Sequence, residues 1–407
     1  MNVPTHREGM LRAIRGEPTD LIPWAPRMDL WAIAHRARGT LPPELVGLDL
    51  PGISDAFGFG YRVVQADFYT QWWTTEDLAL LGLGIENRPD FPFRVEVADL
   101  PLDVQVAGHT YRTTVTTPAG PLVTEFMLTD EMVRDGAYSP YASRRAIQSP
   151  DDLERVAQVF EHLHVVPTPE GFAAYRERTG DRGLAVAQGV IGASPIHLVQ
   201  HDLMELDSFI YLYHDDPDAL HQLAARMEPF FESVLATALA SEAEILFWGA
   251  NYDQSVTWPD FFRDEIAPWL RRTSDRAHES GKLLLTHADG ENQALLPFYP
   301  GCGIDVAESV CTRPMVRNSL AEVRAGFGPG TTVWGGLPSV ALLDSVMDDA
   351  AFGTFLDGVF GELGTGERLI LGVSDNVPPD AKLSRLDMIA DRIRAFGPVR
   401  PARPAPR

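Results

Sequence analysis

Residues 245–290, ILFWGANYDQSVTWPDFFRDEIAPWLRRTSDRAHESGKLLLTHADG, read as strand, helix and strand. Ile245–Trp248 is a short run without a polar residue, the pattern of a strand buried on both faces. The period changes after Thr257: Pro259 stands early, Phe262, Ile266, Trp269 and Leu270 recur at helical spacing, and Gly281 follows Ser280 as the stop. Leu283–Thr286 is then a second buried run. Two buried strands joined by a helix form a parallel unit.

The same unit recurs on either side. Leu21–Ala25, Leu184–Val190, Ile304–Ala307, Thr332–Trp334 and Leu369–Val373 are further short apolar runs. Behind Asp216-Pro217, residues Leu220, Leu223, Met227, Phe230, Phe231, Val234 and Leu235 mark one apolar helix face. With a strand at Tyr61–Ala66 the count reaches eight, the number that closes a (β/α)₈ TIM barrel. An open doubly wound sheet would show a Gly-rich phosphate loop after its first strand, and that loop is absent. Val95–Leu128 breaks the rhythm by alternating apolar and polar residues around Ala107-Gly108 and Pro118-Ala119-Gly120. It is expected to be an antiparallel β-rich insertion of two to four strands. Residues 1–396 are expected to form one barrel domain with that insertion (95–128), and the Pro- and Arg-rich 397–407 a disordered tail.

Composition narrows the function classes. With 34 basic against 57 acidic residues the formal net charge is −23, a field that repels nucleic acid and anionic lipid. Cys302 and Cys311 are too few for a disulfide framework, and MNVPTHREGMLRAIRG lacks an apolar signal core. No window reaches a membrane span. A reducing cytoplasm is the expected setting.

In a barrel of this kind the reacting groups follow the C-terminal ends of the strands. The candidates are Arg27 and Asp29 after the first strand and Gln188 within the Leu184–Val190 run. Asn251, Tyr252 and Asp253 follow Ile245–Trp248, His287 and Asp289 follow Leu283–Thr286, and Glu308 follows Ile304–Ala307. Ser374, Asp375 and Asn376 close the last strand. His287 beside an acidic residue suits acid–base work or metal binding, and equally a loop-capping histidine. Asp289 could orient His287, ligate a cation or cap the next helix. Glu308, if buried, must be paired, and His287, Asp289 and Glu308 together could hold a divalent metal such as zinc. Asp253 could contact a substrate or close a turn. The aromatic residues Trp24, Trp31, Phe57, Phe59, Tyr69, Trp72 and Trp73 could line a pocket or fill the core.

The phrases THREGMLRAIRGEPTDLIPWAPR, FWGANYDQS, LLLTHADGENQALLP, GIDVAES, TTVWGGLPS and RLILGVSDNVPP, in this order, resemble the uroporphyrinogen decarboxylase and cobalamin-dependent methyltransferase superfamily. The resemblance implies a TIM barrel and divides the functions. Decarboxylases of that superfamily carry an Arg-rich carboxylate clamp after the first strand, where this chain reads Arg27-Met28-Asp29-Leu30-Trp31. Its thiol-methylating members bind zinc through His-x-Cys and a distant Cys, where this chain has His287-Ala288-Asp289 and Val373. The insertion's Thr117-Pro118-Ala119-Gly120 is similar to the branch that demethylates small methoxylated compounds. That branch implies catalysis by His287, Asp253 and Asp289, a substrate site from the remaining strand-end residues, and a corrinoid (cobalamin) on a partner protein as acceptor. A cofactor-free decarboxylase and a non-catalytic corrinoid- or tetrapyrrole-binding barrel are the alternatives. A homodimer is compatible with all three.

Overall fold

The computed structural model describes residues 4–62, 74–137 and 139–400. Strands β1 (Phe93–Val97), β2 (Leu102–Ala107), β3 (Thr110–Thr117), β4 (Gly120–Met127), β5 (Tyr141–Arg144) and β6 (Leu163–Pro167) precede β7 (Val186–Gln188), β8 (Ile245–Ala250), β9 (Leu283–His287), β10 (Val306–Val310), β11 (Thr332–Pro338) and β12 (Leu369–Ser374). β7 to β12 form one parallel sheet in sequence order. The 95–128 window is antiparallel as expected over β2, β3 and β4; β5, from beyond the window, completes their separate four-stranded sheet, and β1 pairs antiparallel with β6 instead of joining it.

Alternate residues of the parallel strands enter two different cores. Ile245, Phe247, Leu285, Val306, Trp334 and Ile370 pack with Val186, Ala25 and the helix His6–Arg15. Leu246, Trp248, Leu284, Ala307, Val333, Leu369 and Leu371 face the helices that connect the strands. This is the period-two consequence of strands buried on both sides. The helix Pro217–Ala240 buries Leu220, Leu223, Met227, Phe230, Phe231, Val234 and Leu235, and Asp216 caps its start by accepting the Ala219 N–H. The predicted helix over 257–280 is continuous but changes pitch, with a π-helical turn at Phe262–Ile266 ahead of Ala267–Glu279.

Two expected strands are not regular strands. Over Leu21–Ala25 only Trp24 makes a bridge, to Leu371, because Pro23 and Pro26 have no N–H for a ladder. Of Tyr61–Ala66, Tyr61 bridges Gly183 in parallel, and residues 63–66 lie outside the described residues. These segments still touch both edges of the sheet. The Ala25 N–H donates to Leu371 O at 2.9 Å, the Gly60 N–H to Trp24 O at 2.8 Å, and the Tyr61 N–H to Arg182 O at 2.8 Å. Gly183 makes the last approach feasible, since a Cβ there would stand 2.0 Å from Tyr61 O. Gly183→Ala is expected to cost about 1–3 kcal/mol, the usual penalty of overpacking, read as a lower denaturant midpoint. An unchanged midpoint would show that this edge contact does not hold the sheet.

At the tail, Val399 pairs with Thr19, and residues 401–407 lie outside the described residues. Among the described residues no helix is long and apolar enough to cross a membrane.

Candidate active site

Strand parity decides which strand-end residues face inward. Val186 and Gln188, Leu285 and His287, and Val306 and Glu308 alternate in step, and His287 pairs directly with Glu308 across β9 and β10. Glu308 is fully buried and His287 is 8% exposed. The imidazole Nδ1 lies 2.6 Å from Glu308 Oε2. Glu308 also ion-pairs with the buried Arg62, so its carboxylate accepts only and Nδ1 carries the proton. Nε2 then points away from Glu308, 3.8 Å from Asp289 Oδ1 and 3.8 Å from Asp375 Oδ1.

Asp375 joins the other end of the network. Arg27 donates through Nε to both oxygens of Asp29 at 2.8 Å and through Nη1 to Asp375 at 3.0 Å. Ser309 Oγ donates to Asp375 Oδ1 at 2.9 Å, Asn376 Nδ2 to its Oδ2 at 2.7 Å, and Arg62 stands 3.7 Å away. Burial raises the pKa of Asp375, but the charges of Arg27, His287 and Arg62 and the Ser309 hydroxyl outweigh it and hold the carboxyl well below the usual range. The Val377 N–H donates to Arg27 O and ties this loop to the chain before Asp29. Asp289 is placed by Asn292, whose Nδ2 donates to the carbonyls of Ala288, Asp289 and Gly290 while its Oδ1 accepts from Tyr299.

The structure thus brings together Arg27, Asp29, His287, Asp289, Glu308, Asp375 and Asn376 from the predicted set. The others lie apart from this network. Asp253 accepts from the N–H groups of Ser255 and Glu291 at 2.8 Å each and from the Ser255 hydroxyl. It clamps the loop after β8 to the loop after β9. Burial raises its pKa, but those bonds prevail and lower it. Tyr252 is fully buried with its hydroxyl on Thr286, so it is core. Ser374 braces strands by donating to Val310 O and accepting from the Gly336 N–H. Gln188 is buried, and its Oε1 has no partner among the described residues. Asn251 is exposed and contacts His201 Nε2 at 2.8 Å. Trp24, Trp31 and Phe59 are core, Phe57 stacks on Phe59, and Tyr69, Trp72 and Trp73 lie outside the described residues.

The expected metal triad is corrected. Glu308 sits at Nδ1 and Asp289 at Nε2, on opposite sides of one imidazole, so a single ion cannot take both. Among the described residues no group of three His, Cys, Asp or Glu is arranged to hold a metal. Sequence reasoning missed Arg62 and Ser309. Arg62 had a signal, a lone cation inside the apolar stretch Phe57–Val64, which demands a buried partner. Ser309 had none.

No protein-family model matches the chain, and no curated protein matches it. Among solved structures it is similar to a methyltransferase from Methanosarcina mazei, with 13% identity and a TM-score of 0.51 over 97% of this chain and 99% of that one. At that identity the likeness concerns the fold, and it runs the length of both chains.

Proposed function

We propose that the chain is a methyltransferase on a single (β/α)₈ barrel, residues 1–396, that removes a methyl group from a small methoxylated substrate, aromatic or aliphatic, and passes it to a corrinoid on a partner protein. The closed barrel is supported by the inner core and by the bridges from β12 through Trp24 and Gly60–Tyr61 to Gly183. Methyl transfer is supported by the fold likeness to a methyltransferase.

The observation that carries the chemistry is His287, with one nitrogen fixed by Glu308 and the other presented between Asp289 and Asp375. A methyl ether has a poor leaving group, so its departing oxygen needs a proton. Protonated His287 donates it from Nε2, while Glu308 holds the ring in register and Asp289 and Asp375 flank the proton. Asp253 positions the two loops rather than reacting. The corrinoid, when bound, supplies the nucleophile that accepts the methyl group. Met315 and Val346, 40% and 48% exposed on the loops after β10 and β11, give the same end of the strands an apolar rim suited to a flat partner cofactor.

A decarboxylase reading finds no support at Arg27, whose guanidinium is engaged by Asp29 and Asp375. Val373, where a zinc thiolate would be needed, is a core side chain 2% exposed. With a panel of methoxylated compounds, the expected outcome is a demethylated product, by mass, only when a reduced corrinoid protein is present. Brisk coproporphyrinogen formation from uroporphyrinogen, or methylation of a thiol, would overturn the reading.

A further inference from the structure

The charges around His287 are unequal. Arg27 and Arg62 are the two cations of the network, and each is already engaged by carboxylates: Arg27 by Asp29 and Asp375, Arg62 by Glu308 and Asp375. Asp289 has no arginine partner among the described residues, so four carboxylates face two guanidinium groups and, when His287 is protonated, its imidazolium, which still leaves one negative charge in excess. Further out, His201 stands 3.0 Å from Asp202, and Arg145, which donates to the His201 carbonyl at 2.5 Å, pairs with Glu205 at 3.4 Å, so each of these cations has its own carboxylate.

The carboxylates that remain open are the two beside the reactive nitrogen. The Asp289 and Asp375 side chains are 31% and 34% exposed, whereas that of Asp29 is 4% and that of Glu308 is fully buried. His287 Nε2, on a side chain only 10% exposed, points between them without a hydrogen-bond partner among the described residues. A ligand's polar atom belongs there. An incoming carboxylate would meet Asp289 and Asp375, while the guanidinium groups of Arg27 and Arg62, the two the described residues place in this network, are already held by carboxylates; like charges in a partly desolvated site repel strongly. An ammonium group offers up to three donors and the missing positive charge.

We propose that the substrate is a cation: a small methoxylated compound that also carries an ammonium group, which Asp289 and Asp375 receive while the methoxy oxygen faces His287. This rests on the methyl-transfer reading for the methoxy group, and the charge preference is measured without any methyl acceptor so that the two can fail separately. Chelator-treated protein is titrated calorimetrically with 3-methoxybenzylamine, 3-methoxybenzyl alcohol and 3-methoxybenzoate, and with 2-methoxyethylamine, 2-methoxyethanol and methoxyacetate. In at least one series the amine is expected to bind about tenfold or more tighter than the carboxylate, about 1.4 kcal/mol, with the alcohol between. Asp289→Asn, at a partly exposed position, is expected to narrow that gap while keeping the thermal midpoint. Equal or reversed order, no binding of either amine at millimolar concentration, a gap unchanged in both Asp289→Asn and Asp375→Asn, or tight Zn²⁺ binding that displaces the amine would each overturn the proposal.

Discussion

Replacing His287 by alanine is expected to slow methyl transfer by about 10²–10⁴-fold, the range of a lost general acid. The ring touches the network through one hydrogen bond to Glu308 and presents its other nitrogen outward, so the loss falls on chemistry more than on folding. The loss should appear in kcat with KM little changed, because the proton is needed only as the oxygen departs. His287→Gln, which keeps a polar side chain without a titratable proton, should not restore the rate. Wild-type turnover in either variant would remove this histidine from the mechanism.

The second large effect is on stability. Glu308 is fully buried and pairs with Arg62, whose side chain is 3% exposed. Glu308→Ala leaves that guanidinium without its nearest carboxylate, with Asp375 remaining at 3.7 Å. Removing one partner of a buried pair typically costs about 3–5 kcal/mol. Guanidinium-chloride unfolding should show a midpoint well below that of the parent protein. Glu308→Gln, which keeps the shape and an acceptor oxygen, should lose less stability but still lose activity, because its amide no longer sets the imidazole in register. A Glu308→Ala midpoint equal to that of the parent would mean that the pair contributes no stability.

What could be read from the sequence follows the regularity of the chain. The six parallel strands and the helix face Leu220–Leu235 were legible because buried strands and amphipathic helices write their periods into the sequence. Three strands of the antiparallel sheet, β2 to β4, were legible from their alternation and Gly turns, whereas β5, beyond residue 128, and the pairing of β1 with β6 were not. Leu21–Ala25 was misread as a full strand because its apolar content outweighed two prolines that forbid a ladder. His287 and Glu308 could be placed in the site by counting from Leu285 and Val306, since parity along a strand fixes the face. Tyr252 and Ser374 could not be separated from ligand contacts by type, because a hydroxyl bracing strands and one touching a ligand look alike in sequence. The partnerships of Arg62 and Ser309 come from chain segments 246 and 66 residues away from their carboxylates, separations at which only folding reveals contact.

The most direct test follows the absorption of a reduced corrinoid protein mixed with the purified chain and a methoxylated amine. Spectral conversion to methylcobalamin, in step with release of the demethylated product and abolished to within the His287→Ala background, is the expected result. Full conversion by the His287→Ala variant, or product release without any corrinoid, would contradict methyl transfer through this site.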